Sequence, residues 1–195
     1  MTQGDITKEI SGFALIAAGS NAPSIWGSPA DTVRHGITMV AETLEVSPGI
    51  SRFYQTSAYP AGSGPDFVNA AFVIRTSLSP RGVLDLLHAV EAAALRKRDV
   101  RWGPRTLDLD LIGFDDAVLP DATTVQSWMA LSEDRQRIAA PSDLILPHPR
   151  LQDRAFVLVP LADVASEWRH PVLGQTVQEL CDALPEAEKG AVLPL

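Results

Sequence analysis

Two aspartates stand one residue apart in an otherwise apolar segment, Asp108-Leu109-Asp110-Leu111-Ile112. Successive side chains of a β-strand point to opposite faces, so these aspartates share one face, with Cα atoms about 6.6 Å apart, and the leucines face another layer. The segment therefore predicts a strand of a layered sheet. Two like charges on one face favour a bound cation, and oxygen-only ligands favour a hard ion such as Mg²⁺ that also binds substrate phosphates.

The segment before this strand is strongly basic. Residues 96–105 hold five basic residues and only one acidic residue, Asp99, in a chain with a net charge of −8. The basic residues are Arg96, Lys97, Arg98, Arg101 and Arg105. A compact basic segment on an acidic protein predicts a small polyanionic ligand and argues against a nucleic-acid or anionic-membrane surface. From charge alone, a solvated loop is equally consistent.

The length of 195 residues predicts one domain over residues 1–195. The single cysteine, Cys181, excludes an intramolecular disulfide and suits a reducing cytoplasm. The apolar run at residues 13–18 is too short to cross a membrane, and the acidic residues before it do not resemble a signal peptide. We expect a cytoplasmic monomer, because no long amphipathic surplus remains after the core helices are assigned.

The order of predicted elements indicates an α+β fold. Strands are predicted at residues 12–18, 50–56, 67–76 and 108–114, and helices at 28–44, 79–95 and 176–184, with a short helix within 115–145. Ser28-Pro29 and Ser79-Pro80 predict the starts of the first two helices. The order matches a βαββαβ ferredoxin-like antiparallel sheet with helices packed on its faces. Residues 57–66 are predicted to form a surface loop.

Several standard sites are missing from the sequence. It contains no G-x-x-x-x-G-K-[ST] phosphate loop, no H-E-x-x-H and no G-x-S-x-G. Gly62-Ser63-Gly64 lacks the third glycine of a dinucleotide fingerprint, and the four histidines show no metal-ligand spacing. Glu91 borders the apolar stripe of its predicted helix, where partial burial would require a polar partner; an exposed helix glutamate is the alternative.

The string from Arg101 to Asp110, RWGPRTLDLD, closely resembles the signature of the 6-hydroxymethyl-7,8-dihydropterin pyrophosphokinase family of folate biosynthesis. Further segments support this resemblance in the same order along the chain. They are Gly19-Ser20-Asn21, Phe53-Tyr54-Gln55-Thr56, the run PDFVNAA at 65–71, Glu91, Pro147-His148 and Arg154-Ala155-Phe156.

The resemblance implies transfer of a pyrophosphoryl group from ATP to the hydroxymethyl oxygen of the pterin, with release of AMP. It implies that Asp108 and Asp110 hold two Mg²⁺ ions that bridge the ATP phosphates, consistent with a two-metal clamp. Arg96 and Arg105 match arginines that engage the triphosphate and assist the transfer. Arg98 matches a nucleotide contact, and Trp102 matches a tryptophan that helps to close the site.

The resemblance also assigns the substrate-binding residues. Phe67 and Phe156 match the aromatic positions that sandwich the pterin, Asn69 matches the side chain that contacts its edge, and Thr56 matches a further pterin contact. Glu91 and His148 match nucleotide contacts, and Arg154 matches a phosphate contact. The implied partners are small molecules, ATP and the pterin, and not nucleic acid or a membrane.

The chain departs from the family pattern in two places. Ser57 and Tyr59 replace a proline and a leucine, which predicts a more polar pterin loop. An insertion is predicted at about residues 117–143, and near its end Asp143 and Ile145 stand where shorter members carry an arginine and a threonine for the nucleotide. Either Arg135 or Arg137 is a candidate replacement for that arginine.

Two other functions are compatible with the fold. One is a non-catalytic protein that retains the binding site, and the intact Asp108, Asp110, Arg96 and Arg105 argue against it. The other is an RNA-binding ferredoxin-like module. It lacks support because no strand carries the expected aromatic and basic pattern, and the chain is acidic.

Overall fold

The computed structural model describes residues 11–58, 64–94, 106–132, 135, 141 and 143–195. Its strands are β1 (Gly12–Ser20), β2 (Gly49–Ile50), β3 (Tyr54–Thr56), β4 (Phe67–Thr76), β5 (Asp108–Phe114) and β6 (Leu193–Pro194). Its helices are α1 (Pro29–Leu44), α2 (Pro80–Ala93), α3 (Ala122–Met129), α4 (Ala155–Ala165), α5 (Val177–Ala183) and α6 (Glu186–Gly190). A short 3₁₀ helix spans Leu151–Asp153.

The strands form one antiparallel sheet in the order β5-β1-β4-β3-β6, and β2 also pairs with β4. The central pair is long, because β1 and β4 match from Gly12–Thr76 to Ser20–Val68. β1 and β3 flank β4, so the chain crosses over through α1 between them. This is the predicted ferredoxin-like arrangement.

Helices cover both faces of the sheet. One apolar layer joins α1 and α2 to residues such as Ile16, Phe72 and Leu109. The second layer joins α4 and α5 to residues such as Leu15 and Ile112. We call these the α2 face and the α4 face. Since neighbouring strand residues alternate between the two layers, the sheet is apolar on both sides over most of its length.

The predicted starts of the first two helices are confirmed. Ser28 caps α1 through the N–H of Asp31, whose carboxylate in turn accepts from the N–H of Ser28, and Pro29 follows as the first helical residue. Ser79 caps α2 through the N–H of Gly82, with Pro80 next. These side chains satisfy N–H groups that have no partner within the helix.

The predicted continuous strand at residues 50–56 is wrong, since β2 ends at Ile50 and β3 begins at Tyr54. Ser51 explains the interruption, because its Oγ accepts the N–H of Ala71 and donates to the carbonyl of Arg52. The N–H of Arg52 is donated to the side chain of Asp163 on α4. The N–H of Ser51 still donates to the carbonyl of Ala71 at 2.9 Å, but side chains accept the N–H groups of Ala71 and Arg52, so the regular ladder ends here.

The region predicted as an insertion contains α3, and its ends meet. Leu119 and Leu146 exchange two backbone hydrogen bonds, of 2.8 and 3.0 Å, which close the segment at its base. Such closure is consistent with an added surface element on an otherwise unchanged fold. The strand β6 and the helix α6 were not predicted. No helix in the described ranges is both long and apolar enough to traverse a bilayer.

Candidate active site

Four neighbouring strands each contribute one residue to a row at one end of the sheet. Asp108 is the register partner of Gly19, Gly19 of Asn69, and Asn69 of Tyr54. Register partners share a face, and adjacent strands are about 4.8 Å apart, so the backbones at Asp108 and Asn69 are separated by about 10 Å. Only a glycine stands between them. The row therefore has an open position between the candidate metal ligand and the candidate pterin contact.

The two aspartates lie together on the α4 face, as the alternation predicted. Asp108 and Asp110 are partly exposed, whereas Leu109 and Leu111 are buried in the layer of the α2 face. Asp110 has Ala17 as its register partner, so its neighbour in β1 has only a methyl group. The carboxylates thus stay accessible at the first two outward positions of β5.

The candidate pterin residues lie on the same face, on β3 and β4. Asn69 is 5% exposed, and its Nδ2 donates to Oγ1 of Thr56 at 2.8 Å. Thr56 is the register partner of Phe67, and both are partly exposed. A Cβ atom added at Gly19 would lie 3.2 Å from Oδ1 of Asn69, so only glycine leaves that amide its full space.

The start of α4 brings two more candidates, Arg154 and Phe156, close to the aspartates. Arg154 precedes α4, and its Nη1 lies 3.8 Å from Oδ2 of Asp110. Its guanidinium also lies 5.6 Å from the ring centroid of Phe156, which is 41% exposed. This arrangement places a cation beside the carboxylate pair and an exposed aromatic ring next to that cation.

His148 is placed beside β5 by its backbone, since its N–H donates to the carbonyl of Ile112 at 2.9 Å. Burial lowers the pKa of the imidazole to about 3, with further lowering by the charges of Arg154 and Arg150 and an opposing effect of Asp108. Nδ1 accepts the N–H of Arg150 at 3.1 Å. Neutral His148 therefore carries its proton on Nε2, which makes that atom a hydrogen-bond donor.

Glu91 is 2% exposed, so the structure supports the buried alternative and not the exposed helix glutamate. Its Oε1 accepts the backbone N–H of Leu109 at 2.9 Å. Leu109 lies between the two aspartates in the sequence. The predicted requirement for a polar partner is thus met by the backbone of β5. A contact of Glu91 with the nucleotide stays a prediction.

The remaining candidates are not all placed by the structure. Arg96, Arg98, Arg101, Trp102 and Arg105 lie outside the described residues, as do Tyr59 and Arg137. Ile145 is 6% exposed, and Asp143 and Arg135 are exposed. The site as described is therefore the floor formed by the sheet and the wall formed by the start of α4.

Sequence reasoning missed two contributors. From the sequence, Gly19 is included only in the segment Gly19-Ser20-Asn21 that supports the family resemblance, although its position between Asp108 and Asn69 leaves the gap in the row. Asp163 was not noted at all, although it is the single charged residue in the otherwise apolar helix α4. An acidic residue inside such a helix is a usable signal, because an ionised carboxylate there requires partners.

The donor set suits Mg²⁺ completed by a ligand. Among the residues that the structure describes, no group of three or more His, Cys, Asp or Glu side chains could hold a metal ion. A dedicated protein cage is not the usual way to bind Mg²⁺, which commonly takes one or two carboxylates together with waters and substrate phosphates. Asp108 and Asp110 fit that pattern.

Comparison with known proteins agrees with this geometry. The model of the family 7,8-dihydro-6-hydroxymethylpterin-pyrophosphokinase (HPPK) matches residues 15–166. Three similar relatives are each named 2-amino-4-hydroxy-6-hydroxymethyldihydropteridine pyrophosphokinase. The protein of Synechocystis sp. is 38% identical over 68% of this chain and 57% of its own length. The protein of Pseudomonas aeruginosa is 38% identical over 70% of this chain and 71% of its own length. The protein of Bacillus subtilis is 33% identical over 80% of this chain and 79% of its own length.

A solved structure confirms the fold at larger evolutionary distance. The HPPK-DHPS protein of Plasmodium falciparum, crystallised with pterin and p-hydroxybenzoate, superposes with a TM-score of 0.59 at 15% identity. The match covers 88% of this chain and 43% of the malarial chain, so this chain corresponds to less than half of that protein. From the matched residues and the identities above, the chain belongs to the 7,8-dihydro-6-hydroxymethylpterin-pyrophosphokinase family.

Proposed function

We propose that this chain transfers pyrophosphate from ATP to the hydroxymethyl group of 6-hydroxymethyl-7,8-dihydropterin and releases AMP, the reaction of its family in folate biosynthesis. The observation that carries the proposal is the common face of Asp108, Asp110, Asn69 and Thr56. A carboxylate pair for metal-bound phosphates and an amide for a flat heterocycle lie at the same end of one sheet. The reacting groups would meet between them.

Asp108 and Asp110 are proposed to hold two Mg²⁺ ions, which would neutralise phosphate charge and lower the pKa of the attacking hydroxyl. The protein itself holds the two carboxylates on one face, accessible beside Ala17 and Gly19. Arg154 balances Asp110 at 3.8 Å and offers further donors to phosphate oxygens. Such transfers need positioning and charge neutralisation more than covalent participation by the protein.

Asn69 and Thr56 are proposed to bind the polar edge of the pterin. Their mutual hydrogen bond fixes the amide, so its remaining donor and acceptor capacity is pre-oriented toward a ligand. Phe67 and Phe156 supply the aromatic faces, and the 41% exposure of Phe156 leaves its ring available for stacking. Gly19 leaves space beside Asn69 for the substrate.

On the nucleotide side, His148 is proposed to donate Nε2–H to a phosphate oxygen, in agreement with its neutral state and its Nδ1 contact. Glu91 holds the strand that carries the aspartates. Arg96, Arg98, Trp102 and Arg105 are proposed from the family signature as further triphosphate and nucleotide contacts, with Arg96 and Arg105 assisting the transfer. A monomeric cytoplasmic enzyme of one domain stays part of the proposal.

An assay of AMP formation tests the proposal. The purified chain, ATP, Mg²⁺ and the hydroxymethyl dihydropterin should yield AMP and the pterin diphosphate in equal amounts. A pterin-free reaction measures background hydrolysis. Pterin binding without AMP above that background would instead indicate a non-catalytic binding protein. Binding of RNA but of neither substrate would indicate an RNA-binding module.

A further inference from the structure

Asp163 joins α4 to the strand that carries Thr56. Its Oδ2 accepts from the hydroxyl of Tyr54 at 2.8 Å and from N and Nε of Arg52 at 3.1 Å each, and its Oδ1 accepts from Nη2 of Arg52 at 2.7 Å. The guanidinium lies 5.4 Å from the ring centroid of Tyr54, which is 2% exposed. Four hydrogen bonds thus end on one carboxylate, and three of them come from a single arginine.

The helix α4 has little local stabilisation of its own. Arg154 provides no side-chain cap, Pro160 lies inside the helix, and no basic residue occupies the last turn. A proline removes one helical hydrogen bond, and an acidic residue near a helix C-terminus is unfavourable to the dipole. Apolar packing holds α4 on the sheet, but such packing has no direction. A directed contact is therefore important for the orientation of the helix.

Asp163 is related to the site through two elements, α4 and β3. Asp163 and Phe156 are seven residues apart, so they lie on one side of α4 with about 10 Å between them along the axis. Tyr54 and Thr56 are two residues apart on β3 and share a face. With side chains at about 5–6 Å from the helix axis, a 20° rotation of α4 would move the ring of Phe156 by about 2 Å relative to Thr56.

We infer that Asp163 is a positioning residue for the pterin site, which fixes the rotation of α4 on the sheet through Tyr54 and Arg52 and so places Phe156 over the substrate. The inference rests on the proposed function, because it takes Phe156 as a pterin contact. It assigns a directional contact in the last turn of α4 to a residue that touches no substrate, in addition to the ion pair of Arg154 with Asp110 at the start of the helix.

A double-mutant cycle between Asp163 and Phe156 tests it. The variants are Asp163→Asn, Phe156→Ala and the double variant, and pterin affinity is measured by calorimetry with Mg²⁺ and a nonhydrolysable ATP analogue. Asp163→Asn should weaken pterin binding about tenfold in the wild-type background and less than about twofold in the Phe156→Ala background. The shift in urea midpoint caused by Asp163→Asn should be equal in both backgrounds, because the two side chains are not in contact.

A purely structural role for Asp163 predicts that Asp163→Asn has the same effect on pterin affinity in both backgrounds. Equal losses of pterin affinity in both backgrounds, or no loss in either, would overturn the inference. Tyr54→Phe removes one donor and keeps the ring, so it repeats the test if Asp163→Asn does not fold. Asp85→Asn is the matched control, since Asp85 forms an exposed ion pair with Arg81 on α2. If the wild type forms no AMP, the proposed function fails; if it forms AMP and the cycle is additive, only this inference fails.

Discussion

Glu91 accepts a hydrogen bond from the backbone N–H of Leu109 at 2.9 Å, although the two residues belong to different layers of the fold. β5 lies at one edge of the sheet, and within the described part of the chain it pairs with β1 alone, so its outer edge needs other partners. Glu91 supplies one partner, and the N–H of His148 supplies another at Ile112. The strand with the two aspartates is thus fixed from outside the sheet.

Replacing Glu91 with leucine should destabilise the protein by about 1–3 kcal/mol, because the buried N–H of Leu109 loses its acceptor. Urea unfolding followed by far-UV circular dichroism measures the change. Glu91→Gln keeps a carbonyl oxygen in place and should lose less stability than Glu91→Leu. Equal losses in the two variants would show that the hydrogen bond to Leu109 does not matter.

Substituting asparagine for Asp108 or Asp110 should lower the rate of AMP formation at least about 100-fold, since each change removes a metal ligand charge. The Mg²⁺ concentration for half-maximal activity should rise in both variants. Without Mg²⁺, the stability of Asp108→Asn should be unchanged or higher, because two like charges no longer face each other. Asp110→Asn should gain less, because it also loses the ion pair with Arg154. Mg²⁺ titrations of the rate test the first two effects, and a rate near wild type would exclude these aspartates as ligands.

Phe156→Ala should weaken pterin binding about 10- to 100-fold, in line with about 1.5–3 kcal/mol for a stacked aromatic side chain. ATP-analogue affinity should change little, and stability should fall only slightly, because the ring is 41% exposed. Calorimetric titrations with each ligand separate the two affinities. Leu173→Ala alters an apolar residue of similar exposure, 38%, and serves as the control. Equal losses for pterin and nucleotide would contradict the assignment.

The sequence predicted those parts of the fold that depend on local patterns. Ser28 and Ser79 cap helices where their spacing indicated, and β4 has the predicted bounds of Phe67–Thr76. The two aspartates share a face because strand alternation is a local property. The sheet order also followed from the order of elements, since few topologies accommodate βαββαβ.

The errors arise where distant residues determine the structure. The break between β2 and β3 depends on the bonds of Ser51 to Ala71 and of Arg52 to Asp163, which are 20 and 111 residues apart. Likewise, the gap at Gly19 exists only because Asp108 and Asn69 are its register partners. No pattern within either segment contains this information, because it depends on tertiary pairing.

The buried imidazole of His170 should make the free energy of unfolding depend on pH. The residue is fully buried, and its Nδ1 accepts the N–H groups of Val172 and Leu173 at 3.2 and 3.1 Å. Its Nε2 has no hydrogen-bond partner among the residues that the structure describes. Burial lowers the pKa of the imidazole to about 4. The unfolded chain, with a pKa near 6.5, therefore binds more protons than the folded protein in the window between about pH 4 and 6.5.

The sign of the effect follows from this difference in proton binding. The contribution of His170 to stability is fully present above about pH 6.5 and falls as the pH decreases to 4, by about 3 kcal/mol in total. His170→Asn keeps an acceptor for the two N–H groups and does not titrate. The free energy of unfolding of the wild type minus that of the variant should therefore decrease by about this amount between pH 7 and 4, as measured by urea titrations at each pH. A difference that stays constant over this range would mean that His170 titrates alike in the folded and unfolded protein.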